Sequence, residues 1–156
     1  MVLGFGLFHN FEDPSDLWRA FAETVRVLKP GGKLVFSVRC DSFENHLIEY
    51  ITRRRSDNVG ELSFHKLHFT ESELLWYTNA NGMNVCDIEY ARNVSFLFKF
   101  EALRAPHMRG DRFDESVARS SGFELNAVGS ALDGLLHGLV PKMFSNVLVV
   151  TAEKPA

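Results

Sequence analysis

Val2-Leu3-Gly4-Phe5-Gly6-Leu7-Phe8-His9-Asn10-Phe11-Glu12-Asp13-Pro14, continued by Arg26-Val27-Leu28-Lys29-Pro30-Gly31-Gly32-Lys33-Leu34-Val35-Phe36, decides how this chain folds. Val2 to Phe8 is a continuous apolar run without alternation, the pattern of a strand buried on both faces of a parallel sheet. Asp13 is placed to cap a helix, with Pro14 in its first turn and Asp16 near the positive end of the dipole. Leu17, Phe21, Val25 and Leu28 recur at spacings of four and three, so the helix runs to about Leu28 with one apolar stripe, which Trp18 and Ala22 widen. Pro30 cannot continue it, Gly31-Gly32 accept the turn, and Leu34 to Val38 form the next strand. Strand, helix, tight turn and strand make a βαβ unit, whose crossover is right-handed and whose strands are parallel.

Outward from this unit the signals continue. Ser42 to Arg55 reads as a helix with Leu47, Ile48 and Ile51 on one face, and Thr70-Glu71-Ser72-Glu73 is a capping box opening a helix that ends at Asn81-Gly82. Met83 to Tyr90 fits a strand, and Val147 to Ala152 is a β-branched terminal strand. Phe96, Leu97, Phe100 and Leu103 suggest a short amphipathic helix; Val128, Ala131, Leu132, Leu135, Leu136 and Leu139 suggest a longer one. Ala105 to Ser121 reads as loop. The 156 residues form one domain length, divided into a strand-helix-strand core unit (1–40), helices and a strand (41–90), a variable helical insert (91–144) and a last strand (145–156).

Composition narrows the function classes. With 46% apolar and 24% charged residues the chain is globular, and a net charge of −3 gives no broad field for phosphate backbones or anionic lipid, so neither nucleic acid nor membrane is an expected partner. The apolar start is broken by His9, Asn10, Glu12 and Asp13, too soon for a membrane span or signal peptide. Cys40 and Cys86 stand far apart without zinc or disulfide spacing, which fits a reduced, cytoplasmic setting. His65 and His68 are three residues apart, but no third ligand is evident in the sequence and no metal is assigned; a solvated or substrate-loop role is expected of them. Arg53-Arg54-Arg55 reads as a solvated helix end.

The opening stretch, through its Arg-Val-Leu-Lys-Pro-Gly-Gly turn, resembles the middle of class I S-adenosylmethionine-dependent methyltransferases of small molecules. In that family a strand ends in a loop like Phe8-His9-Asn10-Phe11, a helix follows, and such a turn leads to the next strand. The resemblance is strong for residues 2–38, weaker for 62–90 and 145–155, and carried by no motif between 91 and 144. It implies an α/β, partial Rossmann-like sheet of about four strands. Two are parallel, and the C-terminal strand is inserted antiparallel between Leu34–Val38 and Met83–Tyr90, leaving the Val2 strand at an edge. The family's glycine-rich cofactor loop and the acid ending its second strand have no counterpart in this sequence. Gly4 and Gly6 do not replace that loop, because His9 stands where a third glycine belongs. The chain is therefore expected to be the C-terminal portion of the domain, with Met1 inside the sheet, and not competent alone. The uncovered edge invites a second chain or a second copy.

The same resemblance implies S-adenosylmethionine as cofactor and a small molecule as methyl acceptor. Backbone around Gly4, Phe5 and Gly6 would border the methionine end, while Phe8 and His9 would face the methyl group or acceptor. An aromatic near a sulfonium offers about 0.5–2 kcal/mol of cation–π attraction, and His9 is a candidate general base. The plainer alternative is a strand end with two bend glycines and a histidine bonded within its own loop. Phe96, Phe98, Phe100, Phe113 and Phe123 are candidate walls of an acceptor pocket, against the commoner fate of core packing. A non-catalytic half-domain that binds a partner through the open edge is the competing function.

Overall fold

The computed structural model describes residues 1–55, 66–92, 94–110 and 122–156. Four strands, β1 (Val2–Phe5), β2 (Lys33–Arg39), β3 (Asn84–Ala91) and β4 (Val147–Glu153), form one sheet in the order β1-β2-β4-β3. Its helices are α1 (Pro14–Val27), α2 (Phe43–Arg55), α3 (Glu71–Ala80) and α4 (Ala127–Leu139). β1 runs parallel to β2 with Gly4 opposite Phe36, and β4 lies antiparallel to both β2 and β3. This is the mixed four-strand sheet expected from the sequence, with the last strand filling the slot between two earlier ones.

One face of the sheet carries the core. Leu34, Phe36 and Val38 alternate inward on β2 and meet Leu148, Val150 and Ala152 of β4, all buried to within 1%. α1 lays Leu17 and Phe21 on that face. Phe8 stacks on Phe21 at 4.3 Å between ring centroids and meets Phe36 edge-on at 5.2 Å. Trp18 and Ala22, expected to widen the stripe, lie on the exposed side of the helix. Asp13 caps α1 by accepting the Ser15 amide, and Lys154 closes its other end by donating to the carbonyls of Val25 and Leu28 at 2.7 and 2.9 Å. The Thr70–Glu73 capping box opens α3, which adds Leu74 to the core, and Gly82 ends the turn at φ +76°.

Further sequence expectations are corrected. α2 forms, but Leu47, Ile48 and Ile51 are only half-buried, and the face it hides is polar: Ser42, Glu44 and Asn45. Phe96 to Leu103 makes two consecutive 3₁₀ turns, Phe96–Lys99 and Glu101–Leu103, rather than an α-helix. The apolar stripe of α4 points largely outward, with Val128 and Leu139 62% and 72% exposed; the helix is seated instead through Gly129, where an added Cβ would stand 2.7 Å from the Leu103 carbonyl oxygen. Within the expected loop from Ala105, Pro106–Met108 is a 3₁₀ turn. The rest of that loop from residue 111, His65, Phe113 and the side chains of Arg53 to Arg55 lie outside the described residues. No helix among the described residues is long and apolar enough to cross a membrane.

The polar face of α2 joins the insert to the sheet. Glu44 is fully buried; its Oε1 accepts the Phe96 amide at 2.9 Å and its Oε2 lies 3.1 Å from Arg92 Nε. Arg92 also reaches the Asp133 carboxylate on α4 and the Phe144 carbonyl. Beside it, Asn45 donates to the carbonyls of Cys40 and Asn146, and Ser42 to that of Ser145. Removing the cation strands a buried carboxylate, so Arg92→Ala should destabilise the chain by about 3–5 kcal/mol. Denaturant unfolding checks this, and Arg92→Lys should recover only part of the loss, since an ammonium cannot span Glu44, Asp133 and Phe144 together.

Candidate functional site

A cavity of about 640 Å³ opens where β1 and β2 end, between the sheet and the insert. That end of the strands is where open α/β sheets bind ligands. Its sheet side is Gly6, His9 and Ser37 to Arg39, and its far wall includes Asn45, Ile48, Phe98 and Phe123. Phe98 and Phe123 meet edge-on at 5.1 Å.

The structure separates the residues proposed from the sequence. Gly6 and His9 reach the cavity together. Gly6 sits at φ +67°, a conformation glycine adopts without strain, and its amide donates to Ser37 Oγ at 3.1 Å, while Asn10 holds its carbonyl. Gly4 and Phe8 do not reach it. Gly4 lies beneath the Phe8 ring, where an added Cβ would meet Phe8 Cε2 at 3.0 Å, so its missing side chain makes room for core packing. Phe8 itself is 1% exposed, and its ring packs against Phe21 and Phe36. Phe5 points to the other side of β1 and is 62% exposed. Of the candidate acceptor-wall aromatics, Phe98 and Phe123 line the cavity, Phe96 stacks on Phe144 and Phe100 is exposed.

His9 is buried, and its Nδ1 has no hydrogen-bond partner among the described residues. Its carbonyl accepts the Leu67 amide at 2.9 Å. Burial first, then the charges of Lys66 and Arg39, push its pKa down to about 4. The imidazole is therefore neutral near pH 7, able to accept or donate one hydrogen bond but a weak base while the cavity is empty of anions.

Sequence reasoning missed the cavity's charge. Arg39, Lys66, Lys99 and Arg104 all line it, and no carboxylate does among the described residues. Arg104 is held in place by the Phe98 carbonyl and by stacking at 4.8 Å over the Phe98 ring. These cations are scattered over β2, the segment before α3 and the 3₁₀ turns, so no run of charge announces them.

A strand-helix-strand unit with its cavity at the carboxyl ends of the strands and a last antiparallel strand defines a Rossmann-like α/β domain. More narrowly, the chain has the fold of S-adenosylmethionine-dependent methyltransferases. It is similar to a SAM-dependent methyltransferase from Methanosarcina mazei, with 18% identity over 98% of this chain and 57% of that one, and a TM-score of 0.53. It is also similar to one from Archaeoglobus fulgidus (15% identity, 98% and 58% covered, TM-score 0.52). A putative methyltransferase from Bacillus halodurans gives 15% identity, 99% and 69% coverage and a TM-score of 0.51. The chain thus spans less than two thirds of the length of the first two. No family model and no curated protein matches the sequence.

A neutral buried His9 makes stability depend on pH. The unfolded chain takes up this proton near 6.5 and the folded chain only at about 4. The His9 contribution is complete above that range and is lost as pH falls through it, amounting to roughly 2 kcal/mol by about pH 5. Unfolding free energies of the wild type should fall more steeply over that interval than those of His9→Asn, and the His9 ring protons should titrate with a midpoint well below those of the exposed histidines in NMR spectra.

Proposed function

We propose that this chain forms the acceptor side of an S-adenosylmethionine-dependent methyltransferase whose acceptor is an anionic small molecule held in the cavity at the end of β2. The observation that carries the proposal is the positive charge of Arg39, Lys66 and Lys99 around a cavity at the ligand-binding end of a methyltransferase fold, with no carboxylate among the described lining residues. An acceptor carboxylate or phosphate would answer Arg39 and Lys66 and leave its apolar part against Phe98 and Phe123.

The residues present fit only part of the cofactor. Gly6 offers close backbone approach at the cavity rim, but no glycine-rich loop or acidic ribose partner follows a strand here. We assign those groups to a segment paired along the outer edge of β1, which is the end strand of the sheet and pairs with β2 alone among the described residues. When bound, S-adenosylmethionine supplies a methyl group on a sulfonium, ready for displacement. The work left to this chain is to hold the acceptor in line, exclude water and manage its proton. We take His9, whose ring lies at the cavity wall, as the candidate for the last task. Burial chiefly depresses its pKa, and an anion beside Lys66 and Arg39 would offset the part that those charges add, moving the ring toward the range where it can take a proton from an acceptor hydroxyl or amine.

Calorimetric titration with S-adenosylhomocysteine tests the division of the pocket. Residues 1–156 alone should bind it weakly, and a form completed by a segment carrying the glycine-rich loop should bind tightly. In that complete form Arg39→Gln should raise the KM for the acceptor about tenfold or more with a smaller change in kcat, as expected when ground-state binding is lost. Tight binding by residues 1–156 alone would sink the division of the pocket. Acceptors that prove cationic, or an Arg39→Gln enzyme with unchanged KM, would sink the anionic assignment.

A further inference from the structure

Outside that cavity, we propose that Asp41, His46 and His68 form a site for one divalent ion of zinc type, which clasps the start of α2 to the segment Lys66–Phe69. The residues come from three places. Asp41 follows β2 by two positions, His46 lies in the first turns of α2, and His68 is brought in by the parallel bridge between Cys40 and Phe69. That bridge is fixed by the Phe69 amide on the Arg39 carbonyl at 2.9 Å and the Asp41 amide on the Phe69 carbonyl at 2.8 Å. One ligand atom from each of the three side chains lies within 4.8 Å of the other two.

Asp41 Oδ1 and His46 Nε2 are 2.6 Å apart, and the His46 and His68 rings meet nearly perpendicular with centroids at 5.4 Å. A second observation points to a ligand. The His68 side chain is only 10% exposed, yet its buried Nε2 has no hydrogen-bond partner among the described residues. Glu49 Oε1 stands 3.5 Å from it, beyond normal hydrogen-bond length. A buried ring nitrogen left unsatisfied is costly, and a metal ion is one partner that resolves it.

The donor set selects the ion. Two imidazoles and a carboxylate suit zinc and its first-row neighbours, whereas magnesium and calcium call for oxygen ligands. Tetrahedral zinc with bonds of about 2.0–2.1 Å draws its ligand atoms to about 3.3 Å from one another. Asp41 and His46, with side chains 40% and 61% exposed, have room to make that adjustment around a fixed His68. Glu49, three residues after His46 on α2, adds a second negative charge beside His68 that outweighs the nearby Arg39. None of the three ligands lines the acceptor cavity. The ion is instead a structural clasp: Lys66–Phe69 carries one cavity cation and the amide that holds the His9 loop, so fixing it fixes that wall.

The chelator-treated chain should bind zinc saturably at one ion per chain and give visible d–d bands of a tetrahedral nitrogen–oxygen site with cobalt. Zinc should raise its melting temperature, and equimolar magnesium should not. His46→Ala removes an exposed ring, so its far-ultraviolet dichroism should match the wild type while zinc affinity falls more than about tenfold and the thermal shift vanishes. His68→Asn should lose the cobalt spectrum as well. Absence of saturable zinc binding in the wild type, or equal zinc affinity in the wild type and His46→Ala, would overturn the site. Neither result bears on the cofactor titration, which uses metal-free protein.

Discussion

A carboxylate with no access to water is the constraint around which the upper half of this molecule is arranged. Burial raises the pKa of Glu44, and the Phe96 amide and Arg92 oppose that rise. Four segments distant in sequence meet at that carboxylate and its arginine: the start of α2, the residues leaving β3, α4 and the turn before β4. The insert is thereby held to the ends of β2 and β4, and the cavity is the space left between. A polar joint of this kind adds less net stability than an apolar one of equal volume, but it tolerates few alternative arrangements. That suits a wall whose side chains must keep their positions relative to Gly6 and His9.

The sheet below depends on a different logic. β4 is hydrogen-bonded on both edges, to residues about 115 and 65 positions earlier, so the two central strands are completed only when the end of the chain returns. Lys154 then ties that end to the last carbonyls of α1, and Gly31 and Gly32 exchange hydrogen bonds with Lys154. The tight turn after α1 is thus part of the sheet's closure rather than a connection alone. β1 has the opposite character: four residues, paired on one side only, with alternate side chains in the core and outside it.

Most of the fold is legible in the sequence because its signals are local. The helix stripe of Leu17 and Phe21, the capping box at Thr70 and the β-branched run at Val147 each report their own environment, and the strand order follows from the resemblance they support. What is not legible depends on which residues meet. Glu44, Asn45 and Arg92 look like ordinary surface residues, and only their partners make burial affordable. The α4 stripe misleads for the converse reason, since periodicity records that one face is apolar and not that anything covers it. The packing of Phe8 is equally a matter of meeting, since Gly4 opens a space that its ring fills from the core side. His68 lacked a visible third ligand because His46 and Asp41 lie more than 20 residues away along the chain.

The segment Lys66–Phe69 is where these separate features converge. Its backbone is read twice, by the His9 carbonyl at one end and by Arg39 and Asp41 at the other, while its side chains alternate between the cavity, the core and the His46 ring. A short strand-like piece with so few bonds of its own is stable only if its neighbours hold it from both ends. Burial, and then the positive charges of Lys66 and Arg39, keep the His9 imidazole neutral beside this piece. An anion beside them would oppose only the part of that depression that the charges add, because burial continues to hold the ring below its ordinary value.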